Sequence, residues 1–159
     1  MQMISPLEVG LGVRDLPRMR HFYETVMGCT FVSEVTVPAA KAAQAALSNS
    51  AYTVVRLQTS YGERIKLLAS QEPAAAEQHA GPILSRPNAA YLTFIVDDIN
   101  AAIERLQVAG VELMTGPERI EVRPGTYLVF CKDPEGHVLE IVEYQDIASY
   151  RNDLNNRSA

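Results

Sequence analysis

At 159 residues with a net charge of −5, the chain has room for one domain or two small fused modules, and it carries no basic cluster of the kind that holds nucleic acid. Hydrophobic residues at 47% and charged residues at 21% suit a packed core in water. No apolar run reaches the roughly 18 residues of a membrane helix. The opening MQMISPLEVG lacks the basic and apolar regions of a signal peptide. A reducing cytoplasm is therefore expected, with Cys29 and Cys131 as small buried residues in strand-like segments.

Val9, Leu11 and Val13 alternate with Glu8, Gly10 and Gly12, the period of a half-buried strand. Asp15 follows as a helix N-cap, and Pro17 fits a first helical turn. Leu16, Met19, Phe22, Tyr23 and Val26 make one apolar stripe, which Gly28 closes. CTFVSEVTV, AYTVVRLQT and ERIKLLA predict three strands, with SYGE as the turn before the last. VPAAKAAQAALSNS, between the first two, predicts a short Ala-rich helix, either a surface insertion or a lid. Residues 70–88 are rich in Pro and Ala and predict a linker.

Leu92, Phe94 and Val96 begin the pattern again. Asp98 caps a helix whose stripe is Ile99, Ala102, Ile103, Leu106 and Ala109, closed by Gly110. VELMTGPERIEV, TYLVFCK and HVLEIVEY predict three further strands, with KDPEGH as the last turn. A tail, 145–159, starts as a short helix and ends in polar residues. The order βαβββ thus occurs twice, in modules 1–69 and 89–144 of one compact domain. Asp15 to Gly62 spans 47 positions and Asp98 to Gly136 spans 38, so the first module carries nine extra, in its Ala-rich stretch.

These paired modules, with VGLGVRDLPRMRHFYETVMG opening one and DPEGHVLEIVE closing the other, resemble the vicinal oxygen chelate superfamily. That group includes glyoxalase I, extradiol dioxygenases, methylmalonyl-CoA epimerase, and the fosfomycin and bleomycin resistance proteins. The resemblance covers residues 7–144. It implies an α+β fold, two tandem βαβββ modules forming a curled mixed sheet around a central groove, and commonly a homodimer. It specifies fold more than function, because the superfamily spans lyases, isomerases, dioxygenases, transferases and binding proteins. It also implies a divalent metal held by the first and last strands of each module. Strand parity puts Glu8, Lys66, Tyr91 and Glu140 at those four places.

That set departs from a metal site. A Lys ammonium has no lone pair to give, and neutral Tyr is a poor ligand. An ammonium about 4 Å from another unit positive charge costs roughly 4 kcal/mol at an effective dielectric near 20. The expectation is therefore no cofactor, with Lys66 supplying the positive charge. The alternative is a divalent metal (Mn, Fe, Mg, Ni or Zn) on Glu8 and Glu140, both hard oxygen donors.

A carboxylate beside a second carboxylate and a Lys is a candidate general base for a proton next to a carbonyl. Tyr91 would donate to the enolate oxygen and Lys66 would stabilise its charge. Glu8, Lys66, Tyr91 and Glu140 are thus the catalytic candidates, for lyase or isomerase chemistry. The competing reading makes Lys66–Glu140 and Glu8–Tyr91 polar pairs that line a non-catalytic pocket, as in the bleomycin resistance branch. A metal-dependent lyase or dioxygenase is the third.

For substrate binding, Arg56 either reaches the groove and takes a carboxylate bidentately or lies on a solvated edge. Thr93 shares a face with Tyr91, and Arg123 and Tyr127 flank a turn that would rim the site. His21, His79 and His137 show no metal spacing, and His137 has the opposite parity to Glu140. There is no G-x-S-x-G elbow and no Gly-rich phosphate loop. The expected partners are a small molecule and a second copy of the chain, with neither nucleic acid nor membrane.

Overall fold

The computed structural model describes residues 2–73, 75, 81–85 and 87–154. His79, much of the linker and the end of the tail lie outside those residues. The chain forms two compact units, 1–78 and 79–159.

In the first unit, β1 (Glu8–Val13) leads to α1 (Leu16–His21). One wider π-type turn (Phe22–Val26) extends α1, and β2 (Thr30–Val37), α2 (Ala39–Gln44), β3 (Tyr52–Gln58) and β4 (Arg64–Ser70) follow. The strand order is β1-β4-β3-β2, with β1 parallel to β4 and the other pairs antiparallel. The caps form as the sequence predicts. Asp15 accepts from Arg18 N at 3.0 Å, and Gly28 turns the chain at φ 73°. Leu11, Val13, Leu57, Ile65 and Leu67 are buried, as are Met19, Phe22 and Tyr23 from the helix. The Ala-rich helix appears as α2, anchored by buried Ala42.

In the second unit, β5 (Tyr91–Ile95) and α3 (Ile99–Val108) precede β6 (Ile120–Arg123), β7 (Thr126–Lys132), β8 (Val138–Tyr144) and α4 (Ile147–Tyr150). The order is β5-β8-β7-β6, again with the first strand parallel to the last. Asp98 accepts from Asn100 N and Ala101 N, and Glu143 of β8 accepts from Ile99 N at 2.9 Å. Two carboxylates therefore satisfy the orphan donors at the start of α3. The β7–β8 turn is built on Asp133, whose side chain is fully buried. It accepts from Glu135 N, His137 N and His137 Nδ1 at 3.0, 2.9 and 2.8 Å.

Two sequence expectations are corrected. Residues 111–119 are not strand. Only an isolated bridge from Leu113 to Cys131 precedes β6, because Gly116 turns at φ 90° and Pro117 has no N–H for a ladder. Ala109 is exposed and caps α3 instead of joining its buried stripe of Ile99, Ile103 and Leu106. Among the described residues, no helix is long and apolar enough to cross a membrane.

Candidate functional site

Each sheet has a face that carries buried apolar residues toward its helix and a second face on which polar and charged groups stand among apolar ones. On the first sheet, alternation along β1 puts Glu8, Gly10 and Gly12 on the second face. Glu8 lies across from Arg64, and Gly10 across from Lys66. The Glu8 carboxylate sits between two cations, with Oε1 3.6 Å from Arg64 Nη1 and Oε2 3.6 Å from Lys66 Nζ. Arg64 Nε also donates to Gln58 Oε1 at 3.2 Å. Arg56 stands directly across from Lys66 in β3. Because β3 is an interior strand, the edge position considered for Arg56 is excluded. Its Nη1 donates to Ser33 Oγ at 3.5 Å.

On the second sheet, Tyr91, Thr93 and Ile95 share a face with Glu140, through the pairings of β5 and β8. Thr93 Oγ1 donates to Glu140 Oε2 at 2.6 Å. Phe130 lies across from Glu140 and meets Tyr91 edge-on, ring centroids 5.3 Å apart. Four residues beyond Glu140, Tyr144 stacks on Tyr150 of α4 at 3.9 Å. Arg123 lies over both rings, and its Nε donates to Thr126 Oγ1 at 3.1 Å. Burial pushes the Tyr144 phenol up to about 12, helped by its hydrogen bond to Tyr150 and by the Glu140 charge, with Arg123 opposing.

The polar pairs are therefore Glu8 with Lys66 and Arg64, and Glu140 with Thr93, each within one unit. Tyr127 does not share the Glu140 face. It lies across from Glu143 on the α3 side, under the Arg119 guanidinium. A cavity of about 400 Å³ beside α3, lined by Asn100, Glu104, Gln107 and Arg119 among others, also lies on that side. His21 is exposed beside Thr25, and His137 belongs to the Asp133 turn. Sequence reasoning missed Arg64, Phe130, Tyr144 and Tyr150. Parity alone would have found Arg64, two positions before Lys66 on the same strand.

Among the described residues, no three His, Cys, Asp or Glu side chains converge on a point where a metal would sit. A cation approaching Glu8 meets Arg64 and Lys66 at the same carboxylate. This donor set does not fit a divalent metal.

The sequence pattern of the Glyoxalase/Bleomycin resistance protein/Dioxygenase superfamily matches residues 5–141. The chain belongs to that superfamily. Solved structures with the same fold include a glyoxalase family protein from Bacillus cereus, with a TM-score of 0.75 and 21% identity over 91% of this chain and 96% of that one. A glyoxylase/bleomycin resistance protein/dioxygenase domain from Frankia sp. EAN1pec gives 0.68 and 18%, over 90% and 93%. An integron cassette protein from the mobile metagenome of V. Cholerae gives 0.56 and 23%, over 91% and 98%. No curated protein matches the chain. At these identities the likeness to solved structures fixes the fold of this glyoxalase-superfamily member and leaves its chemistry to its own residues.

Proposed function

We propose that this superfamily member is a small-molecule enzyme of lyase or isomerase type, in which Glu140 moves a proton at the carbon beside a carbonyl. The observation that carries the proposal is the 2.6 Å bond from Thr93 to Glu140 Oε2. It fixes one carboxylate oxygen, while Oε1 accepts no hydrogen bond among the described residues. Phe130 lies across from Glu140 and meets Tyr91 edge-on, which sets aromatic surface beside the carboxylate.

In the proposed step the substrate C–H proton passes to Glu140 Oε1, and its electron pair moves onto the carbonyl oxygen as an enolate. A phenol donates to that oxygen, with Tyr91 and Tyr144 on the same face as the base. Return of the proton to a neighbouring carbon completes an isomerisation, and departure of a leaving group completes an elimination. Glu8, held between Arg64 and Lys66, serves as a counter-ion in this scheme and not as the base. The same proposal places the protein in the cytoplasm, as a homodimer formed through sheet edges that each unit leaves open.

One observation favours retention without turnover. Tyr91 and Ile95 are 45% and 42% exposed on the Glu140 face, an apolar surface suited to an aromatic compound. Solvent-exchange NMR separates the two readings. A panel of 2-oxo acids and 2-hydroxy ketones is incubated with the protein in D2O, and deuterium entry beside the carbonyl is followed. Exchange that falls about 10²–10⁴-fold in Glu140→Gln supports the enzyme. No exchange across the panel, with aromatic ligands bound equally by wild type and Glu140→Gln, supports retention.

A further inference from the structure

We infer that the face of β1, β4 and β3 turned away from the buried apolar row binds a doubly charged oxyanion group through Arg56, Arg64 and Lys66. By strand alternation and register, these three cations share that face, and Glu8 is its one acid among the described residues. Two positive charges remain uncompensated, in a chain whose net charge is −5.

The placement is costly unless something arrives to use it. Arg56 and Lys66 lie directly across from one another, and like charges in that position destabilise a sheet. Their described polar contacts are long: Ser33 at 3.5 Å for Arg56 and Glu8 at 3.6 Å for Lys66. Arg56 therefore keeps most of its five N–H donors for a ligand, in the planar fork that suits phosphate or carboxylate oxygens. Glycines form the floor on β1. Lys66 pairs with Gly10, where Leu68 Cδ1 lies 3.1 Å from where a Cβ would stand, and a Cβ built on Gly12, the next position on that face, would have nothing within 4 Å. A compact tetrahedral group, or two carboxylates close together, matches a site with two spare positive charges better than a single carboxylate does.

This inference stands on the first unit alone and goes beyond the Glu140 reading. Titration of an anion needs no turnover, so either proposal can fail while the other holds.

The test is calorimetric titration of the purified full chain with inorganic phosphate, sulfate, methylphosphonate, malonate and acetate, at pH 8 and constant ionic strength set with NaCl. The dianions are expected to bind at least tenfold more tightly than acetate. Arg56→Gln and Lys66→Gln are each expected to weaken them about tenfold or more. Glu8→Gln is expected to tighten them severalfold, because it removes the competing anion. A lead for phosphate and methylphosphonate over malonate identifies a phosphoryl-type ligand, and the reverse order a dicarboxylate. If a cation variant fails to fold, the wild type decides alone: phosphate must bind more tightly at pH 8 than at pH 6, as its second proton leaves, while sulfate stays constant. Dianions that bind no better than acetate overturn the inference. So does a Glu8→Gln variant that loses affinity as Lys66→Gln does.

Discussion

Glu140 and Glu143 lie three positions apart on β8 and point to opposite faces of the sheet. Glu143 accepts the Ile99 N–H and starts α3, whereas Glu140 accepts from Thr93 on the other face. Their substitutions should therefore separate stability from chemistry. Glu143→Ala should cost about 1 kcal/mol, the worth of a helix cap, which lowers Tm by roughly 2–4 °C for a chain of this size. Any solvent-exchange activity should survive it. Glu140→Gln should leave Tm nearly unchanged and lower the exchange about 10²–10⁴-fold, and thermal melts run beside the NMR assay read both.

The thiols make a second residue-scale case. Burial pushes both Cys29 and Cys131 up to about 11, with Asp133 adding to the effect at Cys131. Neither should react with a disulfide reagent at pH 8 until the protein is unfolded, when two equivalents should appear. Because the folded thiols hold their protons more tightly than the unfolded ones, their contribution to stability is complete below about pH 9. It is lost as pH rises toward about 11. Urea midpoints measured across that window should fall.

At the scale of elements, two features of the sheets carry opposite energetic signs. The Asp133 turn satisfies two backbone donors and one imidazole from a fully buried carboxylate. Asp133→Ala should cost roughly 2–4 kcal/mol by leaving those groups without their acceptor, read as a lower urea midpoint. The Arg56–Lys66 opposition works the other way. Arg56→Gln should raise stability by about 0.2–1 kcal/mol in buffers free of multivalent anions.

These elements differ in how legible they were. Asp15, Asp98, Gly28 and Gly110 announced both long helices, because caps are local chemistry. Alternation fixed the faces of β1 and β5 because one face of each is buried. The side taken by Tyr127 follows from hairpin arithmetic, which counts back from the DPEGH turn and sets it across from Glu143. The shortness of β6 was hidden by Glu112, Leu113 and Met114, which look strand-like until the Gly116–Pro117 turn is taken into account.

For the whole molecule, a period-two pattern repeated in two halves was enough to reveal the βαβββ order and the superfamily. The charge partners were not recoverable in the same way. Which cation meets Glu8 depends on the register between β1 and β4, strands more than fifty residues apart, and no local signal encodes it. The site chemistry therefore came from the pairing of distant strands, and the fold from local pattern.

That parallel pairing also has a consequence for how the chain is made. Glu8 and Arg64 are neighbours in the sheet but 56 positions apart in sequence. At a synthesis rate of about 5–20 residues per second, β1 waits roughly 3–11 s for the strand it will lie against. During that wait Val9, Leu11 and Val13 have no sheet to join. The helix that follows, with Met19, Phe22 and Tyr23, is the first apolar partner to reach them on the ribosome.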